Sequence, residues 1–303
     1  MTRSLVMFFA AVAMCASISG CGGGGSETKF EIIRVSRQNN SGTYHYFRER
    51  VVGKDREFKL GSIDQSGSKD VVELVAKTPA AIGYSGMGYA TPEVKMLSIS
   101  EKQGGEAAAP NVENAKSGKY PIARPLYIYV LGEPEGAVKH YIDWVRSQAG
   151  QDIVTEIGYV PVAAGPAVEG SAPEGDATLK IAGSDTMVNL AQAWAETYTE
   201  ANPNIQPQVS GGGSGTGIAK LIDGTVDMAN ASREMKEEEK KKAEEKSGKK
   251  VVEIIVGLDA LAVYVHKENP LESISIEELA EIYGDEGEIT DWTQLKGWPK
   301  NGE

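Results

Sequence analysis

The stretch that most constrains this chain is a loop of small residues, Ser210 to Gly217. It reads Ser-Gly-Gly-Gly-Ser-Gly-Thr-Gly and leads into an apolar, helix-compatible run from Ile218 to Ile222. A loop so poor in side chains, ending where a helix begins, exposes several backbone N–H groups beside the positive end of the helix dipole. This Gly-rich loop therefore predicts a cradle for an anion. Taken alone, it is equally compatible with a flexible linker.

Two nucleotide-binding motifs do not fit the Gly-rich loop. The spacing Gly-x-Gly-x-x-Gly finds no register in it, and no Gly-Lys-Ser or Gly-Lys-Thr follows, as a phosphate-binding P-loop requires. The identity of the ligand therefore depends on the rest of the chain.

The order of strand, polar loop and helix recurs along the chain. Phe30 to Val35 has the composition of a strand and precedes a polar loop and an apolar stripe at helical spacing. Leu179 to Ala182 precedes a second such loop and stripe. Strands that alternate with helices predict an α/β fold with largely parallel sheets.

Four polar loops stand at predicted strand ends, namely 37–43, 183–186, the Gly-rich loop, and 231–233. In open α/β sheets, ligands bind beyond the carboxyl ends of the strands, where such loops converge. Hydroxyl, guanidinium and backbone N–H donors predominate in them, and a tetrahedral oxyanion is the ligand that such donors satisfy. The side-chain donors are Arg37, Ser41, Thr43, Ser184, Thr186, Ser214, Ser232 and Arg233.

The N-terminus has the pattern of an export signal. Residues 1–20 combine a basic Arg3 with an apolar segment too short to span a bilayer. Ile18-Ser19-Gly20-Cys21 resembles the bacterial lipobox, so we expect a lipid on Cys21 to attach the mature chain to the cell membrane from outside the cytoplasm. An ordinary cleavage site beside a chance Cys is the alternative. Residues 21–28 then form a Gly/Ser tether.

Composition excludes several other classes of function. The net charge of −12 argues against nucleic acid binding. With Cys15 inside the signal, Cys21 is the single mature thiol, so neither an intrachain disulfide nor a Cys-based metal site is possible. The three His residues show no metal-binding spacing, and no Ser lies in a Gly-x-Ser-x-Gly elbow. We therefore predict no cofactor, no metal and no enzyme activity, with a phosphoester hydrolase as the disfavoured alternative.

Five motifs together resemble the phosphate-binding proteins of bacterial phosphate ABC transporters, over nearly the whole mature chain. They are Ser184-Asp-Thr-Met187, the Gly-rich loop, Ala231-Ser-Arg233, Arg37-x-x-x-Ser-Gly-Thr43 and Ala81-Ile-Gly-Tyr84. The resemblance implies a two-lobed periplasmic-binding-protein fold of type II, with mainly parallel sheets flanked by helices, that closes on its ligand. It also implies a monomer that captures inorganic phosphate and passes it to an ABC permease.

The order of the motifs differs from the order in that family. Residues 32–162 resemble the family's later part, and 179–303 resemble its earlier part. We therefore predict a circular permutation, in which a linker at 163–177 joins the family's former termini. The resemblance then implies a contiguous lobe, 123–267, and a split lobe, 29–122 with 268–303. The crossings between the lobes would fall near 120–126 and 264–269.

The resemblance also implies the ligand-binding residues. Thr186, Met187, Ser214, Ser232 and Arg233 would serve the anion from the contiguous lobe, with further roles for Ser184 and Gly215. From the split lobe, the binding residues would be Arg37, Ser41, Gly42 and Thr43.

Two positions depart from the family pattern, since Arg233 and Asn39 stand where relatives often carry Asp. A buried carboxylate that accepts the proton of phosphate would reject sulfate. Asp185 and Asp259 are the remaining acceptors, and a purely structural hydrogen-bonding role is open for each. A phosphate-binding sensor or adhesin without transport, or a receptor for another tetrahedral oxyanion, are the alternative functions.

Overall fold

A computed structural model describes residues 30–168 and 172–299. The predicted signal peptide, Cys21, the tether at 21–28 and part of the predicted linker, 169–171, lie outside the described residues. Within the described ranges, no helix combines the length and the apolar character needed to cross a membrane.

The elements alternate as the sequence predicts, with most strands followed by a helix. The α-helices are α1 (Gly42–Phe47), α2 (Ser68–Lys77), α3 (Val112–Lys116), α4 (Gly136–Arg146), α5 (Gln148–Glu156), α6 (Val188–Ala201), α7 (Ser214–Ile222), α8 (Glu237–Ser247) and α9 (Ile276–Tyr283). The strands are β1 (Ile33–Arg37), β2 (Ile63–Gln65), β3 (Ala81–Gly86), β4 (Val94–Met96), β5 (Ser98–Ser100), β6 (Ala123–Leu131), β7 (Ala177–Gly183), β8 (Ile205–Ser210), β9 (Met228–Ala231), β10 (Val251–His266) and β11 (Ser273–Ser275).

Among the described residues, one sheet runs through the molecule in the order β2-β1-β3-β10-β6-β9-β7-β8, with β4 also paired to β10. The outer pairs, β1 with β2 and β3, and β7 with β8 and β9, are parallel. The central pairs made by β10 and β6 are antiparallel. The α/β fold with helices flanking the sheet is confirmed, and its parallel part lies toward the two edges.

Residues 251–256 and 261–265 are two apolar runs, each with the length of a separate strand, but both belong to strand β10. It is one continuous strand of 16 residues, and a register shift between Ile255 and Gly257 absorbs the interruption. Up to Ala260 it pairs with β6, and from Leu261 onward with β3. A β-bulge accommodates a residue such as Gly257 without ending the strand.

Two main hydrophobic cores lie on either side of this change of partner. One draws mainly on residues 32–122 and 260–295, and the other on residues 126–256. The two ends of the described chain meet, because the ring of Phe30 packs 5.9 Å from that of Trp298 and Ile32 N donates to Thr290 O at 2.9 Å. This arrangement supports the proposed split and contiguous lobes, whose boundaries stay a prediction.

Candidate functional site

The predicted polar loops converge at the carboxyl ends of their strands. Arg37 is the last residue of β1, and the Ser41 hydroxyl caps α1 by accepting from the backbone N–H groups of Thr43 and Tyr44. On the other side, β7 ends at Gly183, β8 ends at Ser210, and α7 begins at Ser214. The loop after β1 therefore faces the Gly-rich loop, although about 170 residues separate them in the sequence.

Asn40 joins these two loops. Its side-chain Nδ2 donates to Gly212 O at 2.9 Å, and its backbone carbonyl oxygen accepts from Gly215 N at 3.0 Å. A Cβ atom on Gly213 would lie 2.6 Å from the same carbonyl oxygen, and Gly213 has a φ of +90°. The Gly-rich loop thus owes its composition partly to close approach and to left-handed backbone geometry.

A cluster of buried hydroxyl groups fills the space between the loops. The Oγ1 atoms of Thr43 and Thr186 lie 2.8 Å apart, and these two residues belong to opposite proposed lobes. Ser184 Oγ donates to Ser232 Oγ at 2.9 Å, and Ser232 N donates to Ser214 Oγ at 3.1 Å. All five side chains are buried. The structure therefore brings together hydroxyls that the sequence places in four separate loops.

Gly42 makes the closest approach across this cluster. A Cβ atom on it would lie 2.4 Å from Ser214 Oγ and 2.7 Å from Ser232 Oγ. Its backbone consequently lies against the opposite proposed lobe, and a side chain at this position would separate the two loops.

Arg37 supplies a buried positive charge to the site. Its guanidinium donates to Ser66 O and Ser68 Oγ, each at 3.0 Å, and pairs with Asp185 Oδ2 at 3.1 Å. Its Nε is buried and has no hydrogen-bond partner among the described residues. Burial lowers the pKa of Arg37, and the Asp185 charge opposes that change. A guanidinium remains protonated in proteins, so the Nε–H group is a charged donor that is available to an anion.

Arg124, which the sequence did not predict, lies at the centre of the site and is 1% exposed. It donates to Asp259 Oδ2 through Nε at 3.1 Å and through Nη2 at 2.9 Å, and to Ser232 O through Nη1 at 3.0 Å. Its Nη2 also reaches Thr43 Oγ1 at 2.9 Å and Thr186 Oγ1 at 3.2 Å. One feature of the sequence could have indicated a functional role for Arg124, because it is the single charged residue in the apolar segment from Tyr120 to Val130.

The two carboxylates predicted as acceptors both pair with guanidinium groups. Asp185 accepts from Arg37 through Oδ2 and from Gly212 N through Oδ1, at 2.8 Å. Asp259, which is fully buried, accepts from Arg124 through Oδ2 and from Met87 N through Oδ1, at 3.1 Å. A carboxylate has about four lone-pair positions, so Asp259 Oδ1 keeps the capacity for one more donor.

The remaining predicted residues occupy varied positions. Met187 is buried in the core of residues 126–256, and it follows Thr186 in the chain. Arg233 is engaged by Glu239 through two hydrogen bonds, of 2.8 and 2.7 Å, and so pairs with the start of α8. Asn39 is exposed. The structure thus does not bring the Arg233 guanidinium or Asn39 into the hydroxyl cluster.

His140 and His266 make hydrogen bonds to nearby residues. His140 Nδ1 lies 2.7 Å from the Tyr198 hydroxyl, and His266 Nδ1 accepts from Glu268 N. Burial, followed by the charges of Arg233 and Lys236, lowers the pKa of His45. Across the part of the chain that the structure describes, no group of three His, Cys, Asp or Glu side chains could hold a metal ion.

Comparison with known proteins identifies relatives of the whole chain. The PBP superfamily domain matches residues 23–149 and 167–303. Phosphate-binding protein PstS 2 of Streptococcus agalactiae is 31% identical over 288 residues, 92% of each chain, and that of Streptococcus pneumoniae is 28% identical over 269 residues, 86% of this chain and 87% of the relative. The crystal structure of a phosphate ABC transporter, phosphate-binding protein from Streptococcus pneumoniae superposes with a TM-score of 0.63 and 27% identity, covering 88% of this chain and all of that one.

Proposed function

We propose that this chain, which belongs to the PBP superfamily, captures inorganic phosphate outside the cytoplasm and delivers it to an ABC transporter. The observation that carries the proposal is the buried donor cluster between the two proposed lobes, with the Arg37 Nε left for a ligand. The names of the relatives agree with it, because they are phosphate-binding proteins and one is assigned to a phosphate ABC transporter.

The chemistry of the cluster suits a small tetrahedral anion. Serine and threonine hydroxyls, backbone N–H groups and a guanidinium all donate, and charge-assisted hydrogen bonds to an oxyanion are about twice as strong as neutral ones. The anion must enter against a net charge of −12, so local donors rather than the overall field would hold it. The ligand-binding set would be Arg37, Ser41, Gly42, Thr43, Thr186, Met187, Ser214 and Ser232.

Selectivity against sulfate requires an acceptor for the proton that phosphate carries near neutral pH. Asp185 and Asp259 are the carboxylates next to the donor cluster. Each already accepts hydrogen bonds, so either one would use a remaining lone pair.

The chain would do no covalent chemistry and would act as a monomer. Lipid attachment through Cys21 would keep it at the membrane, facing the periplasm or the cell exterior. The relatives' names support delivery to a permease rather than a sensor or adhesin role.

The circular permutation stays part of the proposal. The contact between Phe30 and Trp298, which brings the two ends of the described chain together, supports it. A rearranged chain, with 179–303 followed directly by 32–162, should fold and bind phosphate with unchanged affinity. Failure of that chain to fold would contradict the permutation.

The decisive experiment is isothermal titration of the purified chain, without its signal, against phosphate and sulfate at pH 7. Tight phosphate binding with weaker sulfate binding is expected. Binding of neither anion would refute the proposal, and equal binding of both would favour a general oxyanion receptor. Release of nitrophenol from nitrophenyl phosphate would contradict the absence of catalysis.

A further inference from the structure

Arg124 is more than a structural partner for Asp259, because its hydrogen bonds reach ligand-binding groups on both sides of the site. The Nη2 group carries two hydrogens. One serves Asp259 Oδ2 at 2.9 Å, and the other is shared between Thr43 Oγ1 at 2.9 Å and Thr186 Oγ1 at 3.2 Å. Arg124 therefore joins the acceptor to two of the proposed donors.

The hydrogen count fixes the orientation of the two threonine hydroxyls. A guanidinium can only donate, so each hydroxyl turns a lone pair toward Arg124. The two Oγ1 atoms lie 2.8 Å apart, so one hydroxyl donates to the other and a single O–H is left for another acceptor. When an anion enters, both hydroxyls can donate to it while they still accept from Arg124.

The charge of Arg124 has a second effect, on Asp259. That carboxylate is fully buried, and a buried carboxylate without a partner takes up a proton rather than keeping its charge. Arg124 gives Asp259 a charged partner at 2.9 Å, and Asp259 keeps a lone pair on Oδ1, since Met87 N is the one donor to that atom among the described residues. A carboxylate at this position favours the binding of phosphate, whose proton it accepts, and disfavours the binding of sulfate, which has no proton to donate.

We propose that Arg124 is a positioning residue that sets anion selectivity, orienting the hydroxyls of Thr43 and Thr186 and pairing its positive charge with Asp259, the acceptor for the phosphate proton. This inference rests on the proposed function. Arg124 then has two roles, a geometric role through its forked hydrogen bonds and an electrostatic role through the charge that faces Asp259.

Two substitutions separate these parts. In Arg124→Lys the charge remains and the fork is lost, so both anions should bind about tenfold or more weakly, while the ratio of phosphate to sulfate affinity stays within about threefold of wild type. In Arg124→Gln the charge is lost and Asp259 is left as a buried carboxylate without its charged partner, so that ratio should fall by about tenfold or more. If Arg124 had only a structural role, each variant would bind phosphate and sulfate more weakly by the same factor.

The measurement is isothermal titration of each variant with phosphate and sulfate, with thermal unfolding by circular dichroism to verify the fold. Arg50→Gln is the matched control, since Arg50 pairs with Glu101 away from the site, and it should leave both affinities unchanged. Should Arg124→Gln not fold, Asp259→Asn replaces it, because the amide keeps the shape of the carboxylate and should lower the ratio to a similar extent.

The outcomes distinguish this inference from the function on which it rests. Absence of phosphate binding by the wild-type chain would refute the function itself. A wild-type chain that binds phosphate in preference to sulfate, combined with an unchanged ratio in Arg124→Gln or Asp259→Asn, would overturn the role of Arg124 alone. Equal wild-type affinity for both anions would overturn it as well.

Discussion

Replacement of Arg37 by Gln tests the proposed site most directly. The guanidinium is fully buried and leaves its Nε to a ligand, so the variant removes a charged donor from a closed environment. Losing one partner of a buried, hydrogen-bonded charge pair costs about 2 to 5 kcal/mol. At about 1.4 kcal/mol for each factor of ten, the phosphate dissociation constant should rise by between about 30-fold and about 4,000-fold.

The Arg37→Gln variant should still fold, because Asp185, the carboxylate that loses its ion pair, is accessible to water. The Asp185 side chain is 15% exposed and keeps its hydrogen bond from Gly212 N. Arg34→Gln is the control, since Arg34 lies on the same strand, half-buried, and donates to Leu60 O at 2.8 Å, outside the site.

Isothermal titration of both variants with phosphate at pH 7 is the assay. Arg34→Gln should bind as wild type does. A loss of less than about fivefold in Arg37→Gln would show that the guanidinium does not contact the anion, since even one hydrogen bond to a charged group contributes about 1.5 to 3 kcal/mol.

Three further predictions concern closure and pH. Gly42→Ala should abolish tight binding, because its Cβ would lie 2.4 Å from Ser214 Oγ; phosphate titration checks this, and unchanged affinity would contradict the observed closeness of the loops. Asn40→Ala removes the side-chain bond to the Gly-rich loop, so phosphate should dissociate several-fold faster in stopped-flow measurements; an unaltered rate would count against Asn40 as a closure contact. Burial lowers the pKa of His45, and the charges of Arg233 and Lys236 lower it further. The folded protein is therefore fully stable with respect to this group above the unfolded pKa of about 6.5, and it loses stability as the pH falls toward the lower pKa of the folded state. His45→Gln should therefore lose less thermal stability than wild type between about pH 7 and pH 5, and equal losses would refute this assignment.

Much of the site was predictable because its residues stand in short local patterns. Thr43, Thr186, Ser214 and Ser232 each follow a strand, and in parallel sheets such positions meet at one edge. Hydroxyls and glycines in those loops indicate the class of ligand without knowledge of which strands are neighbours.

The contacts between distant segments were not predictable in the same way. Arg124 belongs to no motif, and its importance depends on the pairing of β6 with β10, which places it opposite Asp259. The position of the Arg233 guanidinium likewise depends on Glu239, one of many acidic residues at the start of α8. A sequence shows which side chains are available, whereas the fold determines which charge neutralises which.

The continuity of β10 limits how the two halves of the molecule can behave independently. Its first ten residues pair with β6 in the sheet of one hydrophobic core, and its last six pair with β3 and β4 in the sheet of the other, so a displacement of this strand in one core is transmitted directly to the other. The two halves should therefore unfold in one cooperative transition, and loss of a ligand contact in one half lowers the stability of both.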